Sequence, residues 1–188
     1  MLKVRIARVL AAAAFLAAAP LAVASNYNLD GVHSSVAFRI LHNGVNHVHG
    51  TFASPTGTVT LTDTGGSINV TVPVASVHTG NANRDNHLRS NDYFAAQQFP
   101  TVTFRADNLT RNADGTYTAE GQLTLRGVTR PLTVTLSVTD ERPGARGGIV
   151  RGLETSFTID RTEFGITSGA PAVGNEVTLH VSLQLVKQ

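Results

Sequence analysis

Polar and apolar residues alternate along most of the chain after about residue 25. The clearest cases put valine or leucine at every second position with polar residues, mostly threonine and serine, between them, as in residues 132–138 and 177–185. Successive side chains of a β-strand point to opposite faces of its sheet, so this period predicts strands with one apolar and one polar face. Antiparallel sheets with one face in water show this pattern. The sequence therefore predicts an all-β protein with about eight strands.

Short turn signals separate the alternating segments and indicate antiparallel connections. Dipeptides that favour tight hairpin turns stand at three boundaries: Asn43-Gly44, Gly65-Gly66 and Asp114-Gly115. About eight such strands can pack as a two-sheet sandwich or close into a barrel. Strands of about ten residues are long for a sandwich, and small residues on the apolar faces would leave space inside a barrel, namely Ala106, Ala119 and Gly121. The expected fold is a barrel with an apolar lumen, and the sandwich is the alternative.

Residues 77–104 interrupt the alternation and are predicted to form a helical insertion between strands. They bring together charged and aromatic residues, including Arg84, Asp85, His87, Arg89, Tyr93, Phe94 and Phe99. Side-chain oxygens of Asn83 and Ser90 can accept from the free amides at a helix start, so two short helices are expected. Pro100 disfavours helix at the residue before it and should end the segment. Such an insertion suits a lid over one barrel end, and a connecting loop pinned by an Arg-Asp pair is the simpler alternative.

The N-terminal residues 1–24 match a secretory signal peptide. A basic start precedes an unbroken apolar run over residues 9–19, and the small-residue cleavage pattern Ala-Val-Ala follows at residues 22–24. The run is shorter than the roughly 20 residues that span a bilayer. The expected product is one domain, residues 25–188, in the periplasm or secreted.

Composition limits the kinds of function. The chain has 15 basic and 13 acidic residues, and cleavage of the signal would remove Lys3, Arg5 and Arg8, which leaves a net charge of −1. This balance argues against a nucleic-acid-binding surface. The absence of cysteine excludes disulfides and thiolate metal sites, so an apolar core must hold the fold.

Histidines and hydroxyl groups supply the alternatives to a binding function. His47 and His49 share a strand face, and such a pair can bind zinc or copper, but no third ligand is in register. A histidine-based metal-binding protein, or a hydrolase built on Ser34, Asp85 and His87, stays open on residue types alone. No nucleophile elbow, zinc-protease motif or phosphate-binding loop is present in the sequence. The prediction is therefore a non-enzyme with no catalytic residues, no metal ligands and no cofactor.

Short motifs spread over the chain carry a family resemblance. They are Asp30-x-x-His33-Ser34, His42-x-Gly44-Val45, Arg84-Asp85-x-His87-Leu88, Leu123-Thr124-Leu125-x-Gly127-Val128-Thr129, Arg161-x-x-Phe164-Gly165 and Gly174-Asn175-Glu176-Val177. With these motifs nearly all of residues 25–188 resembles the YceI-like family of periplasmic polyisoprenoid-binding proteins. Two features depart from the family pattern: Ala95-Ala96, where the family is often more acidic, and the pair His47 and His49.

The resemblance implies a lipocalin-like, extended eight-stranded antiparallel barrel that holds an isoprenoid lipid, either a polyprenyl lipid or a quinone. Together with the apolar faces it predicts a ligand-binding lining of Phe38, Phe52, Val70, Val72, Leu88, Tyr93, Phe94, Phe104, Leu123, Val134, Leu136, Leu179, Val181 and Leu183. A polar mouth for the headgroup is predicted from His33, Arg84, Asp85, His87 and Arg161.

The predicted function is a periplasmic binding or carrier protein for such a lipid. Each CH₂ of a long chain costs about 0.8 kcal/mol when it is left in water, so transfer across an aqueous compartment needs a dry lumen. The expected partner is an isoprenoid lipid or quinone and no nucleic acid. Transient membrane contact is compatible with this role, and the oligomeric state, a dimer included, is open. A solid barrel that serves in a stress response or as an interaction module is the remaining alternative.

Overall fold

The computed structural model describes residues 24–145 and 147–188, so the predicted signal peptide lies almost wholly outside the described residues. The described chain forms ten β-strands, one α-helix and two 3₁₀-helices. The strands are β1 Ser25–His42, β2 Asn46–Ala53, β3 Thr56–Leu61, β4 Gly65–Pro73, β5 Thr101–Arg111, β6 Tyr117–Leu125, β7 Val128–Val138, β8 Arg142–Pro143, β9 Ile149–Asp160 and β10 Val173–Lys187. The helices are the 3₁₀-helix Val74–Ser76, α1 Ala82–Arg89 and the 3₁₀-helix Arg161–Phe164. No helix in this part of the chain is both long and apolar enough for a membrane crossing.

The strands close into an antiparallel barrel with eight strand positions. Neighbours follow the order β10-β1-β3-β4-β5-β6-β7-β9, and pairing of β9 with β10 closes the ring. β2 and β3 share one position, because β2 pairs with residues 35–42 of β1 and β3 pairs with residues 25–28. β8 adds a two-residue pair at the edge of β9. The predicted barrel is confirmed, and the strands do not divide into the two sheets of a sandwich.

The two ends of the barrel are built differently. The top carries the β1–β2 hairpin, the insertion with α1, the β6–β7 hairpin and residues 161–172 between β9 and β10. The bottom carries the C-terminus, and it is filled by side chains. Tyr27 is fully buried there; its hydroxyl donates to Oε1 of Glu141 at 2.6 Å and accepts from Nη1 of Arg151 at 3.2 Å. The bottom is therefore a plugged end.

Small residues inside the barrel do not leave the space that the sequence predicts. A Cβ on Gly121 would lie 2.6 Å from Cζ of the Phe104 ring, so that ring already occupies the volume beside the glycine. Ala106 and Ala119 are fully buried, and neither lines a cavity. At Gly121 the expectation was wrong because the Phe104 ring on the neighbouring strand fills the gap, as close packing of interiors requires.

The insertion contains one helix rather than two. Asn81, with extended backbone at φ −140° and ψ 110°, caps α1 through its side-chain oxygen, which accepts from the amide of Arg84 at 3.1 Å. Asn83 lies within the helix, so the predicted cap position was wrong by two residues. Ser90 ends the helix, and its hydroxyl donates to the carbonyl of His87 at 2.8 Å. Turns follow up to Pro100, and β5 begins directly after it, as predicted.

Candidate functional site

The insertion lies over the top of the barrel and is tethered by two charged side chains. Asp85 is buried and accepts from the amide of Thr79 at 2.8 Å and from its hydroxyl at 2.5 Å, and it lies 3.1 Å from Nδ1 of His78. The Thr79 hydroxyl is the main cause that lowers the pKa of Asp85, followed by the Thr79 amide and His78, while burial opposes them. Arg89 donates to two carbonyls of the preceding segment at 2.9 and 2.8 Å. The segment from Gly80 to Phe99 is hereafter called the lid.

Aromatic residues of the lid point down into the barrel. The ring of Phe94 packs edge-on against Phe52 at 5.6 Å, and Phe52 lies 5.6 Å from Phe38. Tyr93 packs edge-on against His87 at 5.0 Å. Edge-to-face pairs of this kind add about 0.5–1.5 kcal/mol to simple burial. The lid is therefore bonded to the wall by polar groups and sealed against the lumen by aromatic ones.

A cavity of about 180 Å³ lies beneath the lid and is called the upper chamber. Its wall is apolar, with residues from β1, β2, β4, β5, β6, β9 and β10. Polar side chains also border it, and they are His42, Thr79, Arg84, His87 and Arg161. This distribution gives a dry cavity with polar groups beside the top of the barrel.

A second cavity of about 80 Å³, the lower chamber, lies deeper in the barrel. Five residues border both chambers and form a ring between them: Val36, Val72, Val102, Leu123 and Leu179. The wall contributed by β10 runs from Val173 in the upper chamber to Leu183 in the lower one. At about 3.3 Å per residue and a tilt of about 40°, the two chambers span roughly 25 Å along the barrel axis.

All the apolar side chains predicted to form the lining border one of these chambers. The upper chamber is lined by Phe38, Phe52, Leu88, Tyr93 and Phe94, and the ring contains Val72, Leu123 and Leu179. The lower chamber takes Val70, Phe104, Val134, Leu136, Val181 and Leu183. Three polar lining residues were not assigned to the lumen from the sequence, namely His42, Thr79 and Thr155. The alternation predicts inward apolar residues, but nothing in it marks a polar residue as inward.

The predicted polar mouth is only partly assembled. Arg84, His87 and Arg161 border the upper chamber, whereas His33 and Asp85 do not. His33 lies on the outside of β1 at a break in its pairing with β10, where Nδ1 is 2.7 Å from Oδ2 of Asp30. Asp85 turns away from the cavity to hold the lid. Placing these two residues at the mouth was therefore wrong, because each has a local partner that fixes its side chain elsewhere.

The two arginines at the upper chamber differ in how many of their hydrogen-bond donors are already bonded to the protein. Arg84 donates from Nε to the Thr79 hydroxyl and from Nη2 to the Thr79 carbonyl, both at 2.7 Å, so the considered Arg84–Asp85 pair is not formed. Among the described residues, Nη1 of Arg84 has no partner, and its side chain is exposed. This guanidinium has donors left for a ligand.

The guanidinium of Arg161 donates its hydrogen bonds to backbone carbonyls. It is 3% exposed, and it donates to four carbonyls at 2.7–3.0 Å, those of Ile166, Ser168, Val173 and Gly174. Within the described part of the chain no carboxylate lies at ion-pair distance. Arg161 therefore organises the segment that leads into β10, which forms one side of the upper chamber.

The alternative sites considered from the sequence are not assembled. His47 and His49 are both exposed on β2, with ring centroids 6.4 Å apart, and no cluster of three metal-binding side chains occurs among residues 24–145 and 147–188. The hydroxyl of Ser34 accepts from the amide of Gln184 at 2.9 Å. His87 faces Asp92 at 2.9 Å rather than Asp85. The three members of the considered hydrolase set thus have three separate partners.

Comparison with known sequences identifies the family. The sequence model of the YceI-like domain matches residues 27–185. The chain belongs to the YceI-like family. It is 35% identical over 171 residues to a UPF0312 protein of Yersinia enterocolitica, which covers 88% of each chain. It is 33% identical over 184 residues to a UPF0312 protein of Photorhabdus laumondii, which covers 95% of each chain.

Solved structures with low sequence identity show the same fold. BcnA of Burkholderia cenocepacia superposes with a TM-score of 0.73 at 23% identity, over 83% of this chain and 98% of that one. A polyisoprenoid binding domain from Saccharophagus degradans superposes with a TM-score of 0.68 at 14% identity, over 86% of this chain and 98% of that one. These YceI-like barrels support the architecture derived above.

Proposed function

We propose that this YceI-like protein binds an isoprenoid lipid, either a polyprenyl lipid or a quinone, and acts as a binding or carrier protein without catalysis. The observation that carries the proposal is the lumen itself. It is apolar along roughly 25 Å, plugged at the bottom, and bordered at the top by polar side chains, of which Arg84 keeps an unpaired Nη1 among the described residues. The Saccharophagus degradans neighbour, described as a polyisoprenoid binding domain, supports the ligand class.

The size of the chambers sets a condition on binding. Ligand pockets commonly measure about 300–1,000 Å³, whereas the chambers measure about 180 and 80 Å³. A long chain therefore has to move side chains of the ring between them. Burial of each CH₂ contributes about 0.8 kcal/mol, so a long chain offsets this rearrangement more easily than a short one.

The headgroup is assigned to the top of the upper chamber, beside Arg84 and His87. A guanidinium meets a phosphate with two parallel hydrogen bonds, and Nη1 of Arg84 is available for one of them. Thr79 holds Nε and Nη2 in place, so the group is already oriented. A neutral quinone ring would gain much less from this contact.

Residues 1–24 support a periplasmic location, since they have the sequence features of a cleaved signal peptide. In that compartment the lipid would be collected from and delivered to membranes by transient contact.

The direct test is identification of the ligand. The protein is purified from its native compartment without detergent and extracted with organic solvent, and the extract is analysed by mass spectrometry. An isoprenoid lipid in stoichiometric amount is the expected result. Absence of any isoprenoid, together with no uptake of solanesol from vesicles, would contradict the proposal.

The headgroup assignment is tested with two ligands that share one tail, solanesyl phosphate and a ubiquinone with a solanesyl chain. Arg84→Ala should weaken the phosphate by at least about tenfold, or ~1.4 kcal/mol, and leave the quinone nearly unchanged. Arg105→Ala is the matched control, since Arg105 is exposed on the outer wall and pairs only with Asp107. Equal loss for both ligands, with a lower melting temperature, would make Arg84 a purely structural residue.

A further inference from the structure

The barrel is not closed equally along all its seams. β6 pairs with β7 over nine consecutive residue pairs, and β9 pairs with β10 over eleven. Between β7 and β9 only two pairs occur, Ser137 with Glu154 and Val138 with Leu153. Above them, residues 131–136 of β7 and the facing part of β9 are joined by no ladder hydrogen bonds. This gap is hereafter called the seam.

The seam is bounded at both ends, so it is a limited stretch of wall without ladder hydrogen bonds. The two ladder pairs close it below, and above it Nε of Arg130 donates to the carbonyl of Glu163 at 3.4 Å. Six strand residues at about 3.3 Å each give an unbonded stretch of roughly 20 Å along the strands. Backbone N–H and C=O groups without protein partners need water. The edges of the seam must therefore be reached by solvent.

The lower chamber lies directly behind the seam. Both edges contribute inward side chains to its wall, with Leu132, Val134 and Leu136 from β7 and Leu153, Thr155 and Phe157 from β9. Leu132 and Phe157 point inward and are half-buried, as are other residues that line the chambers, such as Leu179 and Val181. Oγ1 of Thr155 is enclosed and has no hydrogen-bond partner among the described residues. A buried hydroxyl without a partner is unfavourable, and a molecule that enters the lower chamber could supply the missing hydrogen bond.

The other boundaries of the lower chamber are narrow or closed. The bottom is plugged around Tyr27, and the ring with the lid above it separates the chamber from the top. A chain that reached the chamber only from the top would have to pass the lid and the ring in sequence. The seam offers a shorter path through the wall.

We propose that the seam between β7 and β9 is a lateral portal through which the tail of a long prenyl chain passes into the lower chamber. This inference rests on the proposed function, and it adds a second subsite and a route to it. The headgroup stays at the top beside Arg84, and the tail slides sideways through the wall. Residues that face outward along the middle of the seam are neutral and polar, namely Thr133, Thr135, Ser156 and Thr158. Charged residues stand only at its ends, with Arg130 and Asp160 above and Glu154 below.

Cross-linking across the seam tests the portal, and the chain suits this test because it contains no cysteine. Continuing the register of Ser137 with Glu154 places Thr135 opposite Ser156, both on the outer face. The double variant Thr135→Cys and Ser156→Cys is closed by oxidation, or by a short bismaleimide where the thiols are too far apart for a disulfide. The matched control is Thr110→Cys with Thr118→Cys, an outward-facing pair on the bonded strands β5 and β6, away from the seam.

Uptake of solanesol from phosphatidylcholine vesicles is followed by sedimentation of the vesicles and mass spectrometry of the supernatant. Cross-linking of the seam should slow solanesol uptake by at least about tenfold, and reduction of the disulfide should restore it. The short alcohol geraniol, which the upper chamber can hold alone, should be taken up as before, and the control linkage should change neither rate.

Three results would overturn the inference. Unchanged solanesol uptake by the cross-linked protein would show that the tail does not use the seam. Equal slowing of solanesol and geraniol would show a general effect of the linkage on the barrel. If the parent protein takes up neither alcohol, the proposed function fails and the portal fails with it, an outcome recognised before any variant is compared.

Discussion

Arg161 provides the sharpest quantitative test of how the top of the barrel is held together. Its guanidinium is 3% exposed and donates to four backbone carbonyls, one fully buried and three partly buried. The perturbation is Arg161→Met, which keeps an unbranched chain of similar length and removes every donor. Arg161→Lys keeps the charge but places it on a single nitrogen that cannot reach all four carbonyls.

The magnitude follows from the surroundings of each carbonyl. Loss of the donor to the buried carbonyl of Ile166 costs about 1–3 kcal/mol, and each partly buried carbonyl that turns to water costs about 0.5–1 kcal/mol. Relief from burying a charge offsets part of this sum. Arg161→Met should therefore lower the free energy of unfolding by about 3 kcal/mol, which corresponds to a drop in melting temperature of about 6–12 °C for a domain of this size. Arg161→Lys should lose roughly half as much.

The assay is equilibrium unfolding in urea followed by far-UV circular dichroism, since the chain has no tryptophan to report by fluorescence. The control is Arg105→Met, because the side chain of Arg105 is 66% exposed and its ion pair with Asp107 is a surface pair. Such a change should stay within about 0.5 kcal/mol of the parent. A value for Arg161→Met within about 1 kcal/mol of the parent would refute the structural role assigned to these four bonds.

Three further predictions concern the lid, the lumen and the N-terminus. The lowered pKa of Asp85 means that its tether contributes fully above the ordinary value of 3.8 and is lost as the pH falls through the lowered folded-state value. Asp85→Asn should therefore lower the melting temperature at neutral pH, and the gap to the parent should shrink in acid; a constant gap would exclude a charge-dependent tether. Leu136→Asp should prevent folding or lipid uptake, because it buries an unpaired charge, whereas Gln122→Asp on the outer face of β6 should do neither. Equal behaviour of the two variants in thermal melts and uptake would contradict the inward assignment. Edman sequencing of the protein purified from its native host should start at or near Ser25, and an intact Met1 would contradict cleavage.

The polar mouth shows how much of the candidate site can be predicted from residue types alone. Arg84, His87 and Arg161 were predicted to gather at the headgroup end, and all three border the upper chamber. Their roles differ. Arg161 donates its hydrogen bonds to backbone carbonyls up to 13 residues away, whereas Nη1 of Arg84 has no partner among the described residues. Side-chain chemistry gives the donors, but the tertiary contacts determine which donors remain for a ligand.

The inward direction of the apolar strand residues was determined by the sequence by itself. Alternation with period two is a local property of the backbone, so apolar residues on one face of each strand, from Phe38 to Leu183, end up in one lumen. Asn43-Gly44, Asp114-Gly115 and Pro100 likewise act on their nearest neighbours, which is why the strand boundaries beside them were predicted. Gly65-Gly66 instead begin β4, and the turn lies just before them. Burial of these faces then requires a closed or layered sheet.

The space inside the barrel was decided only by the tertiary structure. Gly121 leaves no void because the Phe104 ring on the adjacent strand fills it, and the ring between the chambers is formed by residues from five different strands. The short pairing of β7 with β9 likewise depends on how the whole barrel curves before it closes. Such features depend on the volumes and positions of residues far apart in sequence, and a pattern that repeats every two residues carries no information about them.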